Sequence, residues 1–331
     1  MPSPWEKGFV EIADRCYVIR YREWDVSVGV VVGTAGALVV DTRASRVQGD
    51  RLLDDILRLP GRPEITRVVN THEHFDHVLG NGAFDGAMIH AHENAAAGIP
   101  AAVDRIKQAV EAGGLLDPAQ PEITRKVLQG VLDSEPRLPD RTFSSAATID
   151  LGDRYVELVY PGRGHTDGDL VLRVPDADVL FAGDLVEESA DRDATPSFGG
   201  DCWPLEWAPT LDLVIGLLGA GSLVVPGHGT VVDRAFVEAQ RDDIADVAEM
   251  IRVLAAAGVP ADEALSAGEQ AVRPAPLAVS TGSEAQAAGG ATGWPFASHY
   301  LGEAVLRGYA HLGVVRPTLP IISRGGSTTG G

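Results

Sequence analysis

The six-residue segment HEHFDH, which begins at His72, constrains this chain more than any other feature. It directly follows the apolar run Ile65–Val69 and a short turn-like pair. Imidazole and carboxylate groups are the side chains that ligate zinc and iron. In an extended segment His72 and His74 point the same way, because side chains alternate with a period of two. The pattern predicts a metal held by this pair, with Asp76 and His77 reaching a second position nearby.

Three further potential ligands follow the same rule elsewhere in the chain. In each case a short apolar, β-rich run ends close to glycine, and the polar side chain lies at or just past its end; the residues are His165, Asp184 and His228. Glycine allows a sharp turn and a close approach of the backbone to an ion. Five of the nine histidines follow this one pattern, which makes a polar loop with surface histidines the weaker interpretation.

Taken in order, these motifs resemble those of the metallo-β-lactamase-fold hydrolases, with a ligand set similar to that of glyoxalase II. The matching segments are HEHFDH, Gly-His165-Thr, Gly-Asp184 and Pro-Gly-His228-Gly. The opening strands and the turn carrying Asp41 match as well, and the resemblance runs from about Gly8 to about Val247. It implies an α/β fold, an αββα sandwich of two mixed β-sheets flanked by helices. One fold hosts many chemistries, so the substrate stays open.

The resemblance also implies how the ligands divide between two metal ions. The first ion would be held by His72, His74 and His165, the second by Asp76, His77 and His228, and Asp184 would bridge both. Asp41 would support the site from beneath. This set of nitrogen and oxygen donors suits two Zn²⁺ per chain, and is also compatible with iron or manganese.

Two close metal ions can share a hydroxide that attacks a substrate. Binding to zinc lowers the pKa of water from about 15.7 to about 7, which gives a nucleophile at neutral pH. Asp76 would be the catalytic residue that orients this hydroxide and exchanges its proton. We therefore expect a hydrolase that cleaves an ester, thioester, lactone or amide bond of a small molecule.

Two other classes of protein remain compatible with these residues. A mononuclear iron dioxygenase of the persulfide-dioxygenase type shares the fold and most of the ligands. A binding scaffold without metal is the third class, and it is disfavoured because every ligand position is filled. The metal content of the purified protein separates the first two classes.

Composition limits the partners and the location. The formal charge of −20 argues against binding to a phosphate backbone, which needs clustered lysine and arginine. Two distant cysteines give no disulfide framework, the first residues lack an apolar core for export, and no apolar run approaches ~20 residues. We expect a cytoplasmic protein that binds neither nucleic acid nor membrane.

The order of elements predicts one catalytic domain over residues 1–257, with a helical insertion at about 93–135. Helices are expected at Arg43–Leu59, Leu205–Leu218 and Asp233–Ala257. Residues 258–331 are expected to form a linker rich in alanine, glycine and proline up to Gly293, a helix at Leu301–Leu312 and a disordered tail. That last helix would pack on the core or form a homodimer contact.

Substrate selection is expected in the loop that follows Asp184. Phe198 and Trp203 flank two glycines there and are predicted to form an apolar wall for the substrate, with ordinary loop packing as the alternative. His92, outside the metal motifs, is expected to make local polar contacts.

Overall fold

The computed structural model describes residues 8–116, 120–189, 192, 194–271 and 293–313. Two β-sheets lie face to face, and helices cover the outer face of each. This is the predicted αββα sandwich, and the expected fold class is confirmed.

The first sheet has seven strands in sequence order. Pairing is antiparallel from β1 to β4 and parallel from β4 to β7, so the sheet is mixed. The strands are β1 Val10–Ala13, β2 Cys16–Arg20, β3 Ser27–Gly33, β4 Gly36–Val40, β5 Ile65–Val69, β6 Met88–His92 and β7 Arg141–Phe143.

The second sheet has five strands in the order β12-β11-β10-β9-β8. Only the β11–β12 pair in this sheet is parallel. The strands are β8 Ala146–Asp150, β9 Tyr155–Val159, β10 Val171–Val174, β11 Val179–Glu187 and β12 Leu223–His228.

The helices are α1 Arg46–Ile56, α2 Phe75–Val78, α3 Glu93–Glu111, α4 Arg125–Leu132, α5 Trp207–Gly216, α6 Arg234–Ala256, α7 Ala264–Gln270 and α8 Gly302–His311. Helix α1 packs on the first sheet through Leu52 and Ile56. Helices α5, α6 and α8 cover the second sheet. Helices α3 and α4 lie within the stretch at about 93–135 where a helical insertion is predicted.

Alternating apolar residues in the strands build the core between the sheets. Leu38, Leu158 and Phe181 are among the side chains buried there. The sheets approach so closely at Gly29 that a Cβ on this residue would lie 2.2 Å from the Phe181 ring. Burial of this apolar surface stabilises the sandwich and fixes the edge at which the strand ends meet.

Two predicted segments differ from the structure. Helix α1 starts three residues later than expected, because the Ser45 side chain accepts a hydrogen bond from Gln48 N and caps the helix. The prediction of a linker through Gly258–Gly293 was wrong at α7, which packs against Trp294. The glycine-rich composition suggested a linker, but the absence of a side chain at Gly268 makes room for the Trp294 ring against α7. Residues 272–292 and the tail after Gly313 lie outside the described residues.

The C-terminal helix α8 packs back on α6. Tyr309 is fully buried, and its hydroxyl donates a hydrogen bond of 3.0 Å to Val259 O. Gly308 lies against Ile251, so α8 belongs to the covered face of the second sheet. A homodimer through this helix stays a prediction. Among the described helices, none is both long and apolar enough to cross a membrane.

Candidate metal centre

The predicted ligands meet at one edge of the sandwich, where several strands end. His72 and His74 follow β5, and His228 is the last residue of β12. Asp184 lies within β11 just after Gly183, whose φ of 53° produces a break in the pairing with β12. His165 comes from the loop between β9 and β10. Because the strand ends lie side by side at this edge, the ligand side chains that they carry, together with His165, converge on one place.

Three histidines and one carboxylate form the first group. The possible ligand atoms of His72, His74, His165 and Asp184 all lie within 4.8 Å of one another. His165 Nε2 is 2.8 Å from His74 Nδ1 and 3.4 Å from Asp184 Oδ2, and His72 Nε2 is 3.7 Å from the same oxygen. These are the residues expected to share the first metal and its bridge.

The second group consists of Asp76, His77 and His228, whose ligand atoms also lie within 4.8 Å of one another. Asp184 is adjacent to this group as well. Its Oδ1 lies 3.2 Å from His77 Nε2, and its Oδ2 lies 3.0 Å from His228 Nε2. The structure thus brings together all seven residues predicted as ligands, and Asp184 stands between the two groups.

The donor atoms of both groups fit a divalent cation. His72 Nε2 and Asp184 Oδ1 are buried and have no hydrogen-bond partner. A buried polar atom without a partner is costly, and a buried carboxylate more so. Nitrogen and oxygen atoms that converge in this way suit a cation between them, which is the arrangement that zinc, iron and manganese sites use.

Buried charges perturb the acid–base properties of the ligands. Burial lowers the pKa of His165 to about 3, against the opposing charge of Asp184. Burial also lowers the pKa of His74, but the hydrogen bond and charge of Asp201 outweigh it and raise that pKa to about 9. For Asp184, burial acts to raise the pKa, and the charge of His228 with the other imidazoles holds it well below the usual range. A metal at His74 Nδ1 would take the place of a proton, so metal binding there should release that proton.

The outer nitrogen of each ligand histidine is also held. His72 Nδ1 lies 3.0 Å from the Thr71 hydroxyl, and His228 Nδ1 donates to Trp24 O at 2.7 Å. Such contacts fix the tautomer and the orientation of a ligand imidazole. The remaining outer partners are Asp41 for His77, Ser197 O for His165 and Asp201 for His74.

Asp41 is the most connected of these partners. Its carboxylate accepts hydrogen bonds of 2.8 Å from Thr71 N, Thr71 Oγ1 and His77 Nδ1. Asp41 has a φ of 65°, a left-handed conformation that places its side chain under the HEHFDH segment. The prediction that Asp41 lies beneath the site is confirmed.

The centre forms the floor of a cavity of about 440 Å³. Trp24 and Phe75, in edge-to-face contact at 5.2 Å, form part of one wall. Helix α3 of the insertion contributes Arg105 and Ile106, and Arg192 comes from the β11–α5 loop. The floor exposes His74, Asp76, His165, Asp184 and His228 to this space. A small molecule entering here would meet the ligand groups directly.

Phe198 and Trp203 are not among the described residues that line this cavity, and their role as a substrate wall stays a prediction. Phe198 is buried against Trp207. Trp203 stacks on His311 at 4.4 Å and lies under the Arg163 guanidinium. Both rings are used in packing the loop onto the second sheet, which was the alternative interpretation.

Sequence reasoning missed several residues at the site. Asp201, Arg105 and Trp24 line the cavity, and Glu187 is fully buried behind it, where it accepts from Ser197 N at 2.7 Å. Only Asp201 carried a local signal, because it follows the two glycines of the loop. His92, as expected, makes local contacts: its Nδ1 accepts from Asn94 N at the start of α3.

Comparison with known proteins agrees with this geometry. A sequence profile described as the metallo-beta-lactamase superfamily matches residues 21–244. A "Metallo-beta-lactamase type 2" of Bacillus cereus is 26% identical over 209 residues, which cover 63% of this chain and 69% of that protein. An "Acyl-coenzyme A thioesterase MBLAC2" of Gallus gallus is 26% identical over 238 residues, which cover 68% of this chain and 79% of that protein.

Solved structures resemble the fold. A metallo-beta-lactamase from Pontibacter korlensis superposes with a TM-score of 0.50 at 20% identity, over 71% of this chain and 98% of that chain. A sec-alkylsulfatase from Pseudomonas sp. gives a TM-score of 0.63 at 16% identity, over 78% of this chain but 45% of that larger chain. The profile match covers more than half of the sequence, and the chain therefore belongs to the metallo-β-lactamase superfamily, a superfamily of metallo-hydrolases.

Proposed function

We propose that this protein is a dinuclear metal hydrolase that cleaves an ester, thioester, lactone or amide bond of a small molecule. The observation that carries the proposal is the position of Asp184, whose two oxygens face both groups of histidines. One carboxylate between two complete groups is the arrangement that lets two ions act on one substrate. Zinc is the metal we propose.

The proposed ligands divide as the groups do. His72, His74 and His165 would hold one ion, and Asp76, His77 and His228 would hold the other, with Asp184 shared. Bound metal ions would supply Lewis acidity to the substrate carbonyl and make water more acidic. All other parts of the reaction fall to the protein, which must bind the substrate, orient it and move protons.

Asp76 is the proposed catalytic residue of the chain itself. Its Oδ2 lies 3.5 Å from His228 Nε2 and 3.7 Å from His77 Nε2, and its side chain borders the cavity. A carboxylate held there can accept a proton from an attacking water and return it to the leaving group. Asp76 lies in the first turn of α2, and this helix sets its position.

The cavity supports a small-molecule substrate. Its volume of about 440 Å³ lies in the range of ordinary ligand sites, roughly 300–1,000 Å³. The aromatic pair Trp24 and Phe75 and the apolar residues of α3 offer a surface for an acyl or ring group. The names of the relatives from Gallus gallus and Bacillus cereus are compatible with thioester and lactam substrates, respectively.

The proposal is tested first by metal analysis of protein purified without added metal. We expect two zinc ions per chain, and hydrolysis of at least one compound in a panel of esters, thioesters, lactones and β-lactams. His74→Ala and Asp184→Ala should lose bound metal and turnover, whereas His299→Ala, which changes an exposed histidine, should retain both. Full activity in either ligand variant contradicts the proposal. One iron per chain and oxygen uptake with a persulfide would instead support the dioxygenase.

A further inference from the structure

We propose that Arg105 and Asp201 are positioning residues that hold His74 in its metal-binding orientation, so that the helical insertion helps to set metal affinity. The inference rests on the metal centre of the proposed function and goes beyond its ligand set. Arg105 belongs to α3, Asp201 belongs to the β11–α5 loop, and His74 follows β5. Three separate parts of the chain therefore meet at one imidazole.

His74 is oriented by its two ring nitrogens. Nδ1 faces inward and lies 2.8 Å from His165 Nε2 in the first group. Nε2 faces outward and lies 3.2 and 3.3 Å from the two oxygens of Asp201. A carboxylate only accepts hydrogen bonds at neutral pH, so it selects the tautomer with the proton on Nε2. The lone pair is then on Nδ1, where a metal would need it.

Asp201 is itself fixed by Arg105. The Arg105 guanidinium contacts the Asp201 carboxylate, and both residues line the cavity. Helix α3 is well anchored, because Ile99 and Val103 pack with Val78 and Leu79 in a small core. The loop that carries Asp201 is anchored as well, since Trp203 N donates to Gly164 O at 2.8 Å. The carboxylate is thereby held between two supports.

Gly199 provides an independent indication that the loop is shaped around this contact. A Cβ at this position would lie 2.9 Å from Asp201 Oδ1 and 3.9 Å from the His74 ring. A side chain there would push the carboxylate away from the imidazole. The loop therefore has a residue without a side chain at the point where Asp201 and His74 meet.

The alternative is that Arg105 and Asp201 only join α3 to the loop as a surface ion pair. Such a role would affect the unfolding temperature and leave metal affinity unchanged. Loss of an outer partner of a ligand histidine typically weakens metal binding by about 10- to 100-fold. Loss of a half-exposed ion-pair partner changes the folding equilibrium by up to about fivefold and leaves the metal affinity as it was. The two roles thus predict different results.

The test measures zinc affinity by competition with a chromogenic chelator, and it uses metal-free full-length protein. We expect Asp201→Ala to weaken binding of one of two zinc equivalents by about 10- to 100-fold and to shift the absorption spectrum of the Co²⁺ form. Asp201→Asn keeps an acceptor oxygen and should lie between Asp201→Ala and the unchanged protein. Arg105→Ala should weaken zinc binding by about two- to fivefold, and should have no further effect when Asp201 is already alanine.

A matched control is the ion pair between Arg241 and Asp212, which joins α6 to α5 and is similarly exposed. Its double alanine variant should bind zinc like the unchanged protein. The inference is overturned if Asp201→Ala or Arg105→Ala keeps full zinc affinity, or if either variant lowers only the unfolding temperature of the metal-free protein. If Asp201→Ala fails to fold, Arg105→Ala decides the matter.

Failure of this inference can be distinguished from failure of the proposed function. Unchanged protein that binds two zinc ions but hydrolyses no compound of the panel would refute the hydrolase, while the zinc affinities would still test Asp201 and Arg105. Unchanged protein that binds no metal would overturn both. Active protein with zinc affinities insensitive to both substitutions would overturn only the inference.

Discussion

Replacing Gly227 by alanine should displace the Asp184 carboxylate and so disrupt the metal centre. A Cβ on Gly227 would lie 1.8 Å from Asp184 Oδ1 and 3.0 Å from Asp184 Cγ. Real Cβ atoms essentially never approach another atom closer than 3.0 Å, so the carboxylate must move by about 1.2 Å. The neighbouring backbone carbon of Gly183, at 2.9 Å, leaves little room for Gly227 to retreat.

The expected loss follows from this displacement. A misplacement of about 1 Å at a catalytic centre can reduce turnover by about 100-fold. Overpacking of a buried site should also lower the free energy of unfolding by about 1–3 kcal/mol. We therefore expect Gly227→Ala to lose bound metal and at least about 100-fold in kcat/KM, and to show a lower denaturant midpoint.

The assay compares Gly227→Ala with Gly216→Ala. Both add one methyl group, but a Cβ on Gly216 would meet nothing within 4 Å, and Gly216 is the last residue of α5. This control should keep metal content and turnover, with a stability equal to or slightly above that of the unchanged protein. Gly227→Ala with full metal content and normal turnover would refute the reasoning, because Asp184 would then not be held where the structure places it.

Four further substitutions test other parts of the structure. Asp41→Ala removes the acceptor that holds His77 and should weaken zinc binding by about 10- to 100-fold in a chelator competition, and unchanged affinity would contradict its supporting role. Burial raises the pKa of the Cys16 thiol to about 11 from 9.0. Its neutral form therefore contributes stability that is complete below pH 9 and is lost as the pH rises towards 11, on the order of 2 kcal/mol. The urea midpoint should fall as the pH rises from about 8 to about 10.5, and it should fall less steeply in Cys16→Ala. Equal slopes in the two proteins would contradict the role of the Cys16 thiol. Phe198→Ala should lower the free energy of unfolding by about 3–5 kcal/mol and leave KM little changed, because Phe198 is buried. Trp24→Ala should raise KM, because Trp24 lines the cavity. A raised KM in Phe198→Ala and an unchanged KM in Trp24→Ala would instead indicate that Phe198 contacts the substrate.

The ligand residues could be read from the sequence because their pattern is local. HEHFDH follows an apolar strand, and His165, Asp184 and His228 each stand near glycine at the end of another strand. Strand ends meet at one edge of a sheet, so convergence at a single place follows from the pattern together with the family resemblance. The structure brings these residues into two groups around Asp184.

The outer partners of the same histidines could not be read in this way. Asp201 is 127 residues from His74, and Trp24 is 204 residues from His228. No spacing in the sequence relates such pairs, and Trp24 acts through its backbone carbonyl, which every residue possesses. The role of Phe198 was equally hidden, because an aromatic ring beside two glycines can face a cavity or the core. Only the packing of helices against the sheet decides which.

The candidate ligands and the chemical class of their donor atoms could be predicted from residue type and local pattern, and the fold from the family resemblance that these motifs carry. The groups that hold the ligands in place, the position of α7 and the lining of the cavity became visible only in the folded protein. These properties depend on contacts between segments far apart in the chain. Their geometry is set by the close packing of two sheets and their helices, and no local pattern encodes it.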